Sequence, residues 1–294
     1  MKEKVEFKKI REFGDIIGDT FLFIKQNFGP LMKAFIYLTG VFIITGMISS
    51  IITQLQLVSM TKGIAGSYDT NTFERLGKLA LNYVFVILFM MLTYTSMYVT
   101  ILSYIALYIE KGKQAPTLAE VWNYFKYYFL RVLGSGILMT AFLLVSFMCC
   151  FLPGIYVFPA VSLFYVIMIL ENGSFSHSFS RSFKLLADEW WVTAAALLVI
   201  YIIFYACTMV IQLPAIIIMM VSAFTHEPGT INKSYVFISS ISQYLSQVFM
   251  IIPIVCSALI YFNLVERKES SGLLSRIDSL GSSAEPNHPD QEQY

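Results

Sequence analysis

Charged side chains are scarce in this sequence. Asp, Glu, Lys and Arg make up 13% of its 294 residues and apolar residues 57%, against about 25% and about 45–50% in soluble domains. That balance excludes an ordinary water-soluble globule and describes a chain whose solvent is largely lipid. With a net charge of +1 there is no overall basic field for nucleic acid and no acidic one for a cationic partner. Histidine occurs three times, at positions 177, 226 and 288, in well-separated segments that do not make a shared metal site. The four cysteines, Cys149, Cys150, Cys207 and Cys256, all fall in apolar runs without a CxxC pair, so they read as small buried hydrophobes rather than redox or metal ligands. There is also no Gly-rich phosphate loop and no HExxH. A secretory signal is not expected, because the first long apolar run starts only near Ala34 and exceeds the ~7–15 residues of a signal core.

Six long apolar runs are present instead: 34–52, 80–108, 132–152, 155–170, 191–220 and 235–265. A helix needs about 20 apolar residues to cross the hydrocarbon core, so each qualifies or nearly does. The sequence therefore predicts an all-α, polytopic membrane bundle of six spans, residues 1–269, followed by a cytoplasmic tail, 270–294. In that tail Leu273, Leu274, Ile277 and Leu280 suit a short amphipathic helix, and the remainder lacks any apolar pattern. Pro153 and Gly154 read as a tight turn between the third and fourth spans. With the N-terminus inside, sixteen of the twenty Lys and Arg residues fall on the inner side. The bias places both termini in the cytoplasm and the protein in the cell inner membrane.

Three amphipathic stretches precede the odd-numbered spans. The first carries Ile10, Phe13, Ile17, Phe21, Ile24 and Phe28 and is expected to stop at Gly29-Pro30. The second carries Leu118, Val121 or Trp122, Phe125, Phe129 and Val132, with Thr117 and Glu120 spaced as a capping box. The third is GSFSHSFSRSFKLLADEWW, residues 173–191, where Phe175, Phe179, Phe183, Leu186 and Trp190 share one helical face. Its serines alternate, about 200° apart on a helix, so they do not gather around His177 as a catalytic pair requires. All three read as helices lying in the cytoplasmic headgroup region, with Arg181 and Lys184 toward anionic lipid and Trp190 and Trp191 at the interface. Helix plus hairpin, three times over, also fits a threefold repeat.

The runs SFSRSFKLL ahead of WW, FGDIIGDTFLFIKQNF, and YFNLVERKESSGLLSRIDSLG together resemble a broad set of bacterial six-span proteins, the ending looking most like versions from Bacteroidota. Such proteins are filed as the membrane domain of glycerophosphoryl diester phosphodiesterase, and in some cases as a beta-carotene monooxygenase. The first resemblance implies chemistry in a separate barrel of ~250 residues, and no stretch outside the apolar runs has room for one. The second implies an iron held by several histidines, which the three scattered ones do not supply.

Since the apolar runs contain no Asp, Glu, Lys, Arg or His, the groups that serve coupled pumps and membrane-embedded catalysis are missing from them. Polar character survives as two uncharged seams. Thr93, Ser96, Thr100 and Ser103 follow a helical rhythm in the second span; Ser239, Ser240, Ser242, Gln243, Ser246 and Gln247 lie within one arc of the sixth. Residues 235–247 alternatively rest along the outer surface, leaving 248–265 as the span. Small hydroxyl residues suit helix packing, and a neutral polar cavity between spans two and six is the sharper alternative. The expected role is a non-catalytic scaffold or subunit of a membrane complex, in contact with the lipid bilayer and a membrane or cytoplasmic protein partner, without cofactor, metal or nucleic acid. The alternative is a permease or lipid-handling transporter.

Overall fold

A chain this apolar can satisfy its backbone only within its own segments, and helices do so. The computed structural model describes residues 4–63, 72–149, 151–225 and 233–269, and among them there are helices and no strand. In order these are α1 Phe13–Gly63, α2 Thr72–Glu110, α3 Leu118–Cys149, α4 Phe151–Leu170, α5 Phe175–Leu186, α6 Trp190–Thr225, α7 Lys233–Ser246, a 3₁₀ turn Gln247–Met250, and α8 Ile251–Glu269. Five stretches are long and apolar enough to cross a membrane: α1, α2, α3, α6, and α7 continued through the turn into α8. Gly154–Leu170 of α4 is apolar but shorter. The expected tail helix, Cys150, His226 and His288 lie outside the described residues.

Several element boundaries differ from expectation. Gly29-Pro30 does not stop the first helix; α1 runs through it for 51 residues. Proline there removes a single ladder bond, while Phe23, Leu31, Ala34 and Phe35 are buried on both sides of it, so packing carries the helix across. The path is not parallel to its neighbour throughout. The Arg11 amide meets Asn263 while Gly46 lies against Tyr244. About 50 Å of α1 thus matches about 30 Å of α7–α8, taking ~1.5 Å per residue, so the first half of α1 is inclined to α8.

The second amphipathic stretch is likewise fused to its span in one 32-residue helix, α3. One bond of its predicted capping box forms, the Thr117 amide donating to Glu120 Oε2 at 2.8 Å. Pro153 and Gly154 do not form a separate turn but lie in the first turn of α4, where a proline's missing donor is unneeded. α3 and α4 are antiparallel, pairing Phe147 with Gly154, Gly136 with Tyr165 and Arg131 with Asn172. The sixth run is divided by the 3₁₀ turn, just ahead of Pro253.

α8 is the hub. Some 89% of the most apolar window of the α7–α8 stretch is buried, against 11–39% in the other long helices, and every residue from Ile251 to Glu266 is buried. Around it pack α1, α2, α4 and α6. Cores of Ile, Leu, Val and aromatic side chains concentrate in the half of the bundle holding the end of α8; in the other half α2, α3 and α6 display Leu81, Ile87, Ile137, Leu144, Met209 and Ile217 outward. The bundle is closed at the end that holds the last turns of α8 and leaves more apolar side chains exposed toward the other.

Candidate functional site

The closed end is where nearly all the bundle's charged chemistry collects. Asn172, at φ 50°, and Gly173 turn the chain from α4 into α5; a Cβ on Gly173 would stand 2.7 Å from the His177 ring and 2.8 Å from Ser178 Oγ. The turn is held from α3 by Arg131, whose guanidinium donates to the Asn172 side chain and to the carbonyls of Asn172 and Gly173. α5 then starts on Ser174, whose Oγ accepts from the His177 amide at 3.3 Å, a side-chain N-cap. Its buried residues are Ser178, Ser182, Leu185 and Leu186. The small serines let α5 lie close to its neighbours, while Phe175, Phe179 and Phe183 pack half-buried alongside and reach Phe164 of α4 and Phe142 of α3.

This turn delivers Glu171 to the centre of a five-residue cluster. Its carboxylate accepts from His177 Nε2 at 2.8 Å, from Arg181 Nε at 2.8 and 3.0 Å, and from the Tyr261 hydroxyl of α8 at 2.8 Å. Arg181 also pairs with Glu269 at 2.8 Å. Burial pushes the Glu171 carboxyl up, but the hydrogen bonds from His177, Arg181 and Tyr261 outweigh it and hold the group below the ordinary carboxylate range. Arg181 is shifted the other way: burial opposes its charge, and the carboxylates of Glu171 and Glu269 more than restore it. Both Glu171 oxygens are occupied by donors, so the group acts as a lock between α4, α5 and α8 rather than as a free base.

A second set of contacts ties the N-terminal segment to the same helix end. Arg11 is only 2% exposed. Its guanidinium pairs with Asp19 at 2.8 Å and donates to the carbonyls of Glu6, Phe7 and Lys9, and its amide donates to Asn263 Oδ1 at 2.7 Å. Arg267 in turn donates to the Arg11 carbonyl and pairs with Glu189, and Lys268 pairs with Asp188 and donates to the Lys184 carbonyl. Phe7 fills the gap beneath, edge-on to Phe23, Tyr108 and Phe262. Among the described residues no group of three or more His, Cys, Asp or Glu is placed to hold a metal ion.

The residues singled out from sequence fall into three environments. Thr93, Ser96, Thr100 and Ser103 are fully buried. Ser96 donates to the Leu38 carbonyl and meets Thr39, as does Thr100 at 3.5 Å; Thr93 bonds back to Phe89 and Ser103 Oγ is unpaired. In α7, Ser240 accepts from Gln54 of α1 at 3.2 Å, Ser242 and Ser246 are buried, Ser239 is half-buried and Gln243 exposed, and Gln247 Oε1 is buried without a partner. Both seams thus make their cross-helix contacts with α1, which packs against α2 and α7 alike, and not with one another. Of the expected interface residues, Phe21, Phe28, Trp122 and Trp191 are exposed, the last at 81%, and Lys126 lies over the Trp122 ring. Phe125 is buried, and Phe129 stacks on Phe42. Trp190 stacks on Tyr156 and donates to its carbonyl; Lys184 is exposed. Arg181 is turned to protein carboxylates, not outward.

Sequence reading missed Glu171, Tyr261, Asn263, Glu269 and the buried state of Arg11. The available signal was weak: Tyr261 and Asn263 are polar groups in an apolar run, and Glu171 is one of three acids between two such runs. No protein family, curated protein or solved structure matches the chain.

Proposed function

We propose that this chain is a six-span protein of a bacterial cytoplasmic membrane, with both termini on the cytoplasmic side, that serves as a non-catalytic scaffold or subunit of a larger membrane complex. The observation that carries this reading is the closed end itself. There the N-terminal segment, the α4–α5 turn, α5 and the start of α6 are all bonded to the last two turns of the buried α8. Charged groups in that arrangement are spent on holding elements together. The result is a preorganised platform, since side chains already fixed cost little further entropy when a partner docks.

Exposed Trp122, Tyr127 and Leu130 on α3, beside Lys126, supply the aromatic and cationic character that interfaces favour. Native mass spectrometry of the full chain, gently extracted from its own membrane, tests the reading. A stoichiometric protein partner is the expected result, and one released by Trp122→Ala with Tyr127→Ala would locate the contact on α3. A monomer or homo-oligomer under conditions that preserve known complexes of the same membrane would refute it.

A further inference from the structure

Away from the closed end, α2 and α3 part and leave a cleft of about 330 Å³, within the ~300–1,000 Å³ of small-molecule sites. Its walls are α2 and α3, and Tyr165 of α4 and Met250 of the 3₁₀ turn complete the lining. Ile87, Met90 and Ile137, which line it, and Leu138 beside it are all exposed, so its mouth opens sideways onto the surface that a bilayer would cover.

Two features separate this cleft from a simple packing gap. The first is Gly136. A Cβ there would stand 3.6 Å from Tyr165 Oη, so the glycine leaves open a space that a larger side chain would fill. The second is a set of hydroxyls on facing walls. Tyr98 lines the cleft with its ring 4.7 Å from that of Tyr165. Tyr94, Thr140 and Tyr165 line the cleft too, and their hydroxyls have no hydrogen-bond partner among the described residues. Hydroxyl donors left unpaired in an apolar medium carry a desolvation cost, which an acceptor brought by a ligand would relieve. None of the lining residues is charged, so no cation is offered to a phosphate.

We infer that the cleft between α2 and α3 binds a neutral isoprenoid quinone, its ring carbonyls accepting from the hydroxyls of Tyr165 and of Tyr94 or Thr140, and its tail lying along Ile87, Met90, Met91 and Ile137. A quinone ring brings two carbonyl acceptors to a lining that holds hydroxyl donors and no charge, whereas a diacyl phospholipid brings a phosphate that meets no cation there. The inference rests on the membrane placement proposed above but not on the scaffold role, and the site is one of binding only.

The test uses the full chain in phosphatidylcholine nanodiscs, with thermal unfolding followed as decylubiquinone is added, and with dodecane and phosphatidylglycerol as control additives. Wild type should be stabilised in a saturable way by the quinone alone. Gly136→Leu should lose at least tenfold in apparent affinity, and Tyr165→Phe should weaken binding while keeping the cleft's shape. Should Gly136→Leu fail to fold, Gly136→Ala and Thr140→Val keep the comparison, since each changes the cleft by a methyl or a hydroxyl. No stabilisation of wild type, an equal response in the cleft variants, or an equal response to dodecane or phosphatidylglycerol would overturn the inference. Native mass spectrometry of the same samples reads the scaffold proposal separately, because a protein partner there does not depend on the quinone response.

Discussion

Removing the Glu171 carboxylate should loosen α5 from the bundle and do so with a particular pH dependence. Glu171 makes contacts with His177, Arg181 and Tyr261, and its side chain is 18% exposed. Exposed pairs are worth about 0–1 kcal/mol, and breaking a buried pair by removing one partner costs about 3–5 kcal/mol. Glu171 lies between these limits, and Arg181 keeps Glu269 as a partner, so Glu171→Ala should cost about 2 kcal/mol. Glu171→Gln retains an acceptor for Tyr261 and should cost about 1 kcal/mol, in line with the loss of charge assistance to hydrogen bonds. The carboxyl is held below its ordinary range in the folded protein, so the unfolded chain takes up its proton first as pH falls. Its stabilisation is therefore complete above the unfolded carboxylate pKa and disappears as pH drops through the lowered folded value. Thermal unfolding of wild type and Glu171→Gln in detergent, from neutral to strongly acid pH, is the assay. The gap between their midpoints should close on acidification, and a gap that stays constant with pH, or none at neutral pH, would refute the argument.

Three further substitutions probe other contacts. Arg11→Met leaves Asp19 without its guanidinium partner and removes the donor to the Glu6, Phe7 and Lys9 carbonyls, while the backbone amide still serves Asn263; a loss of about 3 kcal/mol is expected, together with faster proteolysis between residues 4 and 12. Gly46→Leu drives a side chain toward the buried Tyr244 ring, 2.9 Å from where its Cβ would sit. Overpacking should cost about 1–3 kcal/mol, and combination with Tyr244→Ala should recover part of it in a double-mutant cycle. Gln247→Leu removes a buried oxygen that has no partner and should leave stability unchanged or raise it by about 1 kcal/mol, measured as a shift in unfolding midpoint; a clear loss would mean that the amide is used.

How much was legible in advance varies by element. The long apolar runs in the sequence fall largely inside long helices, because leaving water needs no knowledge of neighbours, but α1 begins at Phe13, well ahead of its run at 34–52, and α3 at Leu118, ahead of 132–152. The Thr117–Glu120 cap was readable for the same reason: donor and acceptor are three residues apart. Gly29-Pro30 misled because a proline's local cost, about 3 kcal/mol, is smaller than the packing on either side of it.

Composition and periodicity alone determined that this chain is helical, apolar beyond what water tolerates, and polarised toward one end in its basic residues. Those are properties of short windows, set by transfer free energy and the 3.6-residue repeat. The tertiary structure decided which helix is central, that Arg181 faces Glu171 and Glu269 instead of solvent, that the two hydroxyl seams both meet α1, and that Gly136 and Tyr165 frame a cleft. Each of these joins residues distant in sequence, such as Arg11 with Asn263 or Glu171 with Tyr261. No local pattern encodes such a pairing, because its energy exists only once the intervening helices have packed.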